Sequence, residues 1–354
     1  MSLEANYSVT EKILHRLVLG TLSIGRVSFD LERLVSKHQI ESLGEPVFIS
    51  GLARAGTTIL MRTFYSTGLF RSLTYRDMPF VLMPGIWKAL SNLFHQHEDE
   101  RERAHGDGVL VGFDSPEAFE EVFWRSFCAK EYIFDDHISP HLVSDEIIDQ
   151  FKIFVKHVIA SANPKNISRQ RYLSKNNNNI LRLGSIRKAF PGALIIIPFR
   201  DPVQHAFSLL QQHKNFNARN KIDTFTHDYM HWLGHHEFGS THRPLKFSNM
   251  PSALPIDYKT DDINYWLTIW INTYRYILNS APYDVHYVCF EDMCKSPHEI
   301  LGALFSDANL SIDLSDKFKN IKSPVMKKSI GNLDSKITRQ AQKIYKELLL
   351  NSQV

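Results

Sequence analysis

The stretch Pro46-Val47-Phe48-Ile49-Ser50-Gly51-Leu52-Ala53-Arg54-Ala55-Gly56-Thr57-Thr58-Ile59-Leu60-Met61-Arg62-Thr63-Phe64-Tyr65 decides the reading of this chain. Its first residues form a short apolar run of the kind buried in a sheet, and its last residues repeat apolar positions at helical spacing. Between them lies a loop bounded by Gly51 and Gly56. A strand, a glycine-bounded loop and a helix start together aim backbone N–H groups and the positive end of a helix dipole at an anion. A Walker A loop would carry Lys after its second glycine, to reach the terminal phosphates of a nucleotide. Here Thr57 holds that place and the cation is Arg54, inside the loop. The loop is suited to phosphate, but not to a nucleoside triphosphate.

Working outward, strand signals alternate with helix signals. Arg171-Tyr172-Leu173-Ser174 reads as a second strand, followed by Lys175 and the four asparagines Asn176 to Asn179. Ala193-Leu194-Ile195-Ile196-Ile197-Pro198-Phe199 is continuous apolar sequence, as expected of a central strand buried on both faces of a parallel sheet. Val285-His286-Tyr287-Val288-Cys289-Phe290 gives the last strand. Helices are expected from Ser115-Pro116-Glu117, over Asp145 to Ala162, up to Phe190-Pro191-Gly192, from Pro202 and from Pro297. The expected fold is α/β: a P-loop-like central parallel sheet flanked by helices, with helical insertions and ligands at the carboxyl ends of the strands. One domain is expected over residues 1–354, with a helical arm over 1–45, the core over 46–310, an insertion around 215–260 and a helical segment over 311–354. In the arm, Ile13, Leu17, Leu31 and Leu34 suggest amphipathic helices that pack on the domain, with contact to a membrane surface as the lesser alternative. His95 to Gly108 is a charged connection.

Composition narrows the function classes. The 43% hydrophobic content supports a sizeable core, and a formal charge of +3 is too small to argue for nucleic acid. Any anion must therefore be met by cations placed locally. The three cysteines, Cys128, Cys289 and Cys294, show no metal-type spacing and suit a reduced, cytoplasmic compartment. Lys12, His15 and Arg16 interrupt the first apolar stretch, so it does not read as a signal peptide, and no run reaches the roughly 20 apolar residues of a membrane span.

A second anion element follows the third strand: Phe199-Arg200-Asp201-Pro202, with Ser208 in the next helix. Arg200 at a strand end can grip a phosphate with two hydrogen bonds. Two anion elements suggest one ligand carrying two separate phosphate groups. At this point the chain resembles the sulfotransferases that use 3′-phosphoadenosine 5′-phosphosulfate. Gly51 to Thr58 looks like their loop for the 5′-phosphosulfate, with Arg as in the tyrosylprotein and many bacterial enzymes, whereas cytosolic small-molecule enzymes carry Lys. Arg200 with Ser208 resembles their 3′-phosphate element. Tyr172-Leu173-Ser174-Lys175-Asn176, Phe190-Pro191-Gly192-Ala193 and Val288-Cys289-Phe290-Glu291-Asp292 resemble the broad bacterial branch. The resemblance spans roughly 47–305; it departs at Ala55, where Ser is common, and at Asn177, where Pro is frequent.

The resemblance implies site roles. Arg54, Ala55, Gly56, Thr57 and Thr58 would hold the 5′ group, Arg200 and Ser208 the 3′-phosphate, and Lys175 the bridging oxygen. Asp77, in Thr74-Tyr75-Arg76-Asp77-Met78-Pro79, would be the base, with His137 and His141 in reserve. The reaction requires no metal, and the product nucleotide is 3′-phosphoadenosine 5′-phosphate. The acceptor would present a hydroxyl or amine, with a glycan or glycolipid precursor the first choice because aromatics in Phe238–Tyr258 and Tyr265–Tyr276 suit sugar faces. His227, His231 and His235 recur every four residues, which suits zinc on one helical face or, equally, a helix lining the acceptor cleft. The competing readings are a P-loop kinase and a non-catalytic nucleotide-binding protein of the same fold.

Overall fold

The computed structural model describes residues 9–36, 44–91, 101–102, 110–111, 115–162, 171–220, 224–247, 250–251, 253–312 and 332–352. Its centre is a five-stranded sheet, all neighbours parallel, built from β1 (Gly44–Ile49), β2 (Phe70–Arg71), β5 (Arg171–Lys175), β6 (Leu194–Phe199) and β7 (His286–Cys289) in the order β2-β5-β1-β6-β7. The pair β3 (Arg101–Glu102) and β4 (Leu110–Val111) is a separate antiparallel ribbon. It falls across the expected charged connection, whose other residues lie mostly outside the described ones.

Strand periodicity explains the two cores. Val47 and Ile49 bury into one apolar cluster with Leu60, Phe64 and Ile196, while Phe48 packs on the opposite face with Phe151, Tyr172 and Phe190. Successive side chains of a strand point to opposite faces, so a run that is apolar throughout requires cover on both. α3 (Thr57–Tyr65), α11 (Phe290–Lys295) and α12 (Pro297–Asp307) contribute to the first face; α6 (Asp145–Ala160), α7 (Leu183–Ala189), α8 (Pro202–Asn220) and α10 (Ile263–Ser280) contribute to the second. The middle strand is β1, with β5 on one side and β6 on the other, so the chain changes direction of travel around it. A crevice opens at such a switch point, here outside the carboxyl end of β1, where the glycine-bounded loop begins.

Several expectations are corrected. The third apolar run forms β6, beside the middle strand rather than in it. The sheet's short edge strand β2 carried no sequence signal. The helix expected from Ser115 starts later, as α5 (Glu121–Tyr132), because an isolated bridge pairs Thr74 with Pro116 and Glu117 N–H donates to the Leu73 carbonyl at 3.1 Å. That tertiary pairing overrides a good cap. Residues 215–260 contribute no strand among the described ones; they hold the end of α8, then α9 (Thr224–Trp232). The arm forms α1 (Val9–Gly20) and α2 (Leu22–Val35), which dock on α9 and α5. Its docked side carries His15, Val18, Leu19 and Phe29, whereas Ile13, Leu17, Leu31 and Leu34 face outward, 47–77% exposed. The C-terminal helix α13 (Ser335–Asn351) packs against α10. α4 (Pro84–Ser91) completes the helices, and among the described residues none is long and apolar enough to cross a membrane.

Candidate active site

The loop from Gly51 to Gly56 is shaped by two left-handed residues, Arg54 at φ 72° and Gly56 at φ 96°. A Cβ on Gly56 would stand 2.5 Å from the Phe290 ring, so both the backbone angle and the packing require glycine there. α3 starts at Thr57 with Gly56 as its cap and no side-chain cap bond. The N–H groups of Gly56, Thr57 and Thr58 lie ahead of the first bonded one, Ile59 N–H to the Gly56 carbonyl at 3.1 Å. These are the orphan donors of a helix start, presented at the sheet's switch point. Thr57 is buried and Thr58 half-buried; Ala55, within the loop, is fully buried.

The two expected anion elements meet. Arg54 Nε donates to Ser208 Oγ at 3.3 Å, joining the loop to α8 across 154 residues. His205, one turn earlier on α8, holds the loop through Nε2–H to the Ala53 carbonyl at 2.8 Å. Burial depresses its basicity, with Arg200 and Arg54 acting the same way, to a pKa of about 3, so it stays a neutral strut. Sequence reasoning missed His205; its signal was its place between Arg200 and Ser208 on the helix face that meets the loop. Arg200 is 4% exposed, with Nε 3.5 Å from Glu291 Oε1, Nη2 donating to Gln204 Oε1 at 3.3 Å, and the guanidinium 5.2 Å over the Phe290 ring. Phe290 thus packs against both the loop and Arg200. Asp201 Oδ1 accepts from Gln204 N–H at 2.9 Å, a helix cap.

Lys175 closes β5 in register with Ile49 at the end of β1. It is 7% exposed, and Nζ lies 3.8 Å from Glu117 Oε1. The asparagine run behind it is a set of anchors rather than a loose loop. Asn176 N–H donates to the Ile49 carbonyl at 3.1 Å and its amide to Glu121 Oε2 at 2.7 Å; Asn179 donates to Glu120 Oε1 at 2.7 Å. Asn177 reaches Glu237 at 2.9 Å and Asn178 the Gly234 carbonyl at 3.2 Å. Below them Glu121 pairs with Arg182 at 2.9 Å, both essentially unexposed.

Asp77 ends a 3-10 turn (Tyr75–Asp77) and is 3% exposed. Oδ2 accepts from Thr74 N–H at 2.7 Å and Thr74 Oγ1 at 3.1 Å, while Oδ1 accepts from Arg71 at 2.5 Å. Its cation is Arg71. The reserve histidines divide. His137 lies beside exposed Asp136 and stacks on Phe134, and His141 stacks on Tyr132 with a pKa pushed down to about 3 by burial and Arg182.

The three spaced histidines do not share one helix. α9 stops at Trp232, where Gly234 at φ 73° closes it with His235 N–H on the Met230 carbonyl and Gly234 N–H on the His231 carbonyl. Among the described residues the only group with metal-like proximity is Cys128, Glu131 and His141, their ligand atoms within 4.8 Å of one another. Burial pushes the Cys128 thiol up to about 12. The expected sugar-stacking aromatics are core residues: Phe238, Trp266, Trp270 and Tyr274 are buried and pack on one another or on neighbouring rings.

Beside the loop lies a pocket floored by Gly51, Leu52 and Ala53 and walled mainly by apolar side chains, among them Ile138, Leu209 and Trp266. Residues 46–245 match the profile of the sulfotransferase family. The chain belongs to the sulfotransferase family. Similar solved structures include sulfotransferase STF1 from Mycobacterium tuberculosis H37Rv, at 13% identity, TM-score 0.47, and 99% and 85% of the two chains covered. STF9 from Mycobacterium avium gives 11%, 0.47, 96% and 78%, and the sulfotransferase domain of the curacin biosynthetic pathway 13%, 0.37, 87% and 98%. Among curated proteins none matches. For this sulfotransferase the matched span runs from β1 through Lys175, Arg200 and Ser208 to the 236–245 wall of the pocket, so the loop, Arg200 with Ser208 and most of the pocket lining fall inside the family region, while Trp266 and Ile269 lie beyond it.

Proposed function

We propose that this sulfotransferase moves a sulfuryl group from 3′-phosphoadenosine 5′-phosphosulfate to a hydroxyl or amine. The observation that carries the reading is the Arg54–Ser208 contact at 3.3 Å, which brings the glycine-bounded loop onto α8, the helix that follows Arg200, although the two are distant in sequence. In this reading Gly56, Thr57 and Thr58 N–H groups, with Arg54, hold the 5′-phosphosulfate above Ala55, and Arg200 with Ser208 holds the 3′-phosphate. Lys175 meets the bridging oxygen, and Glu117 orients Lys175. The acceptor atom bonds to sulfur as the bond from sulfur to the bridging oxygen breaks. The acceptor's proton goes to a carboxylate, and 3′-phosphoadenosine 5′-phosphate leaves. Charge growing on the leaving oxygen is met by fixed cations and helix-start amides, which need no reorganisation during the reaction. Asp77 is the proposed base: Oδ1 accepts one bond, from Arg71, and keeps a second lone pair. The acceptor is proposed to be apolar rather than a free sugar, since the pocket beside the loop is walled mainly by apolar side chains.

Arg200→Ala tests the second anion element. A charge-assisted phosphate contact is worth about 1.5–3 kcal/mol, so bisphosphate affinity is expected to fall roughly 10-fold to 150-fold, with the donor's KM rising more than turnover falls. Unchanged affinity in a folded variant would make Arg200 a structural partner of Glu291. Transfer of radiolabelled sulfate from the donor to a panel of apolar alcohols and amines tests the reaction itself; a panel including sugars that is labelled only on the sugars would overturn the acceptor proposal.

A further inference from the structure

Two residues that line the pocket beside the loop, Asn177 and His236, 9% and 1% exposed, each carry a buried side-chain atom without a hydrogen-bond partner, Asn177 Oδ1 and His236 Nε2. Their identities follow from their neighbours. Asn177 gives its NH2 to Glu237 Oε1 at 2.9 Å, and a carboxylate only accepts, so the amide oxygen is the atom left over. His236 Nδ1 lies 3.1 Å from the Thr241 carbonyl, which also only accepts; Nδ1 carries the proton and Nε2 keeps its lone pair. The loop is held that way, because the His236 carbonyl accepts from Arg243 N–H at 2.9 Å and from His242 Nδ1 at 3.1 Å. Both vacant atoms are therefore acceptors. Leaving a buried acceptor unpaired is costly, so two on residues lining one pocket point to a ligand that supplies donors.

We infer that this pocket is the acceptor-substrate subsite, and that Asn177 and His236 select an apolar molecule carrying two donor hydrogens at one end, from a primary amine or a pair of adjacent hydroxyls. The apolar walls take the body of the molecule; Leu52, Leu209 and Trp266 supply no polar side-chain group except the Trp266 N–H, already given to the Thr260 carbonyl at 2.8 Å. The floor is the first half of the phosphate loop, so a molecule seated here lies against the element that holds the sulfuryl group in the proposed reaction. Burial, with Arg243 adding to it, pulls the His236 pKa down to about 4, which keeps Nε2 an acceptor at neutral pH. Asn177 stands two residues after Lys175, so one short segment serves both sides of the transfer.

This inference rests on the sulfotransferase reading of the site, and its test is read separately from donor binding. The probes are 2-phenylethylamine, 4-methylcatechol, ethylbenzene and methyl glucoside, titrated into the full chain saturated with 3′-phosphoadenosine 5′-phosphate and followed by calorimetry and by the His236 imidazole nitrogen resonances. The amine or the catechol is expected to bind and shift Nε2; ethylbenzene and methyl glucoside are expected to bind at least roughly 10-fold more weakly, the weight of hydrogen bonds to buried acceptors. His236→Leu and Asn177→Leu are expected to remove most of that preference while bisphosphate affinity stays within about two-fold. Binding of the amine alone or the catechol alone identifies the donor source. Equal binding of all four probes, preference for the glucoside, no binding by any, or unaltered preference in both folded variants would overturn the inference. Absence of bisphosphate binding in the unaltered protein would instead overturn the proposed function.

Discussion

Asp77→Asn is expected to cut turnover by roughly 10²- to 10⁴-fold, the scale of a positioned base, while bisphosphate binding survives. The amide keeps shape and can still accept from Thr74 N–H at the 2.7 Å position, but it cannot take the acceptor's proton. It also weakens the Arg71 contact, so some loss of thermal stability is expected alongside. A purely structural Asp77 would give that stability loss with near-normal turnover. The paired variant is Glu117→Gln, because the Glu117 carboxylate stands 3.8 Å from Lys175 at the end of β5. Collapse of turnover in Glu117→Gln with survival in Asp77→Asn would transfer the base to Glu117.

The second large effect is on stability. Glu121→Gln is expected to lower the free energy of unfolding by about 3–5 kcal/mol, the cost of stranding one member of a buried ion pair. Arg182 would remain enclosed between the Trp124 and Tyr132 rings, at 4.9 and 4.7 Å, without its counter-charge. Burial pushes the Glu121 carboxyl up, but Arg182, with hydrogen bonds from Arg182, Tyr132 and Asn176, outweighs it and the net direction is down. A depressed carboxylate contributes its stability above the ordinary carboxylate range and loses it as pH falls through the folded-state value. The unaltered protein should therefore lose stability on acidification below about pH 4.3 more steeply than Glu121→Gln. Replacing both partners, Glu121→Leu with Arg182→Met, should recover part of the loss. Equal acid profiles for the unaltered protein and Glu121→Gln would remove the pair from this role. Since Glu121 also accepts from Asn176, next to Lys175, the variant is expected to loosen the site as well.

Much of the fold was legible because its determinants are local. The apolar runs of β1 and β6, and the glycines that only a tight loop accepts, are written as contiguous residues. The Arg54 loop and Arg200 with Ser208 were visible for the same reason. What stayed hidden depends on contacts between distant segments. β2 is two residues long and exists by pairing with β5; α5 starts late because Thr74 captures Pro116. Four asparagines in sequence suggest an irregular loop, yet each amide finds a partner far along the chain, at Glu120, Glu121, Gly234 or Glu237. The outward face of the arm was misread because helical spacing places Ile13 and Leu17 on one side without saying which side docks. His236 and Asn177 could not be paired from sequence, since 59 residues separate them and only the fold places both on one pocket.

The central claim is that the two anion elements form one site for a nucleotide with phosphates at both its 3′ and 5′ positions. Calorimetric titration of the full chain with adenosine 3′,5′-bisphosphate in a chelator, beside ATP with magnesium, tests it most directly. The account predicts saturable binding of the bisphosphate without metal, much tighter than ATP and weakened by Arg200→Ala. Tighter binding of magnesium ATP, with Arg200→Ala without effect, would contradict it.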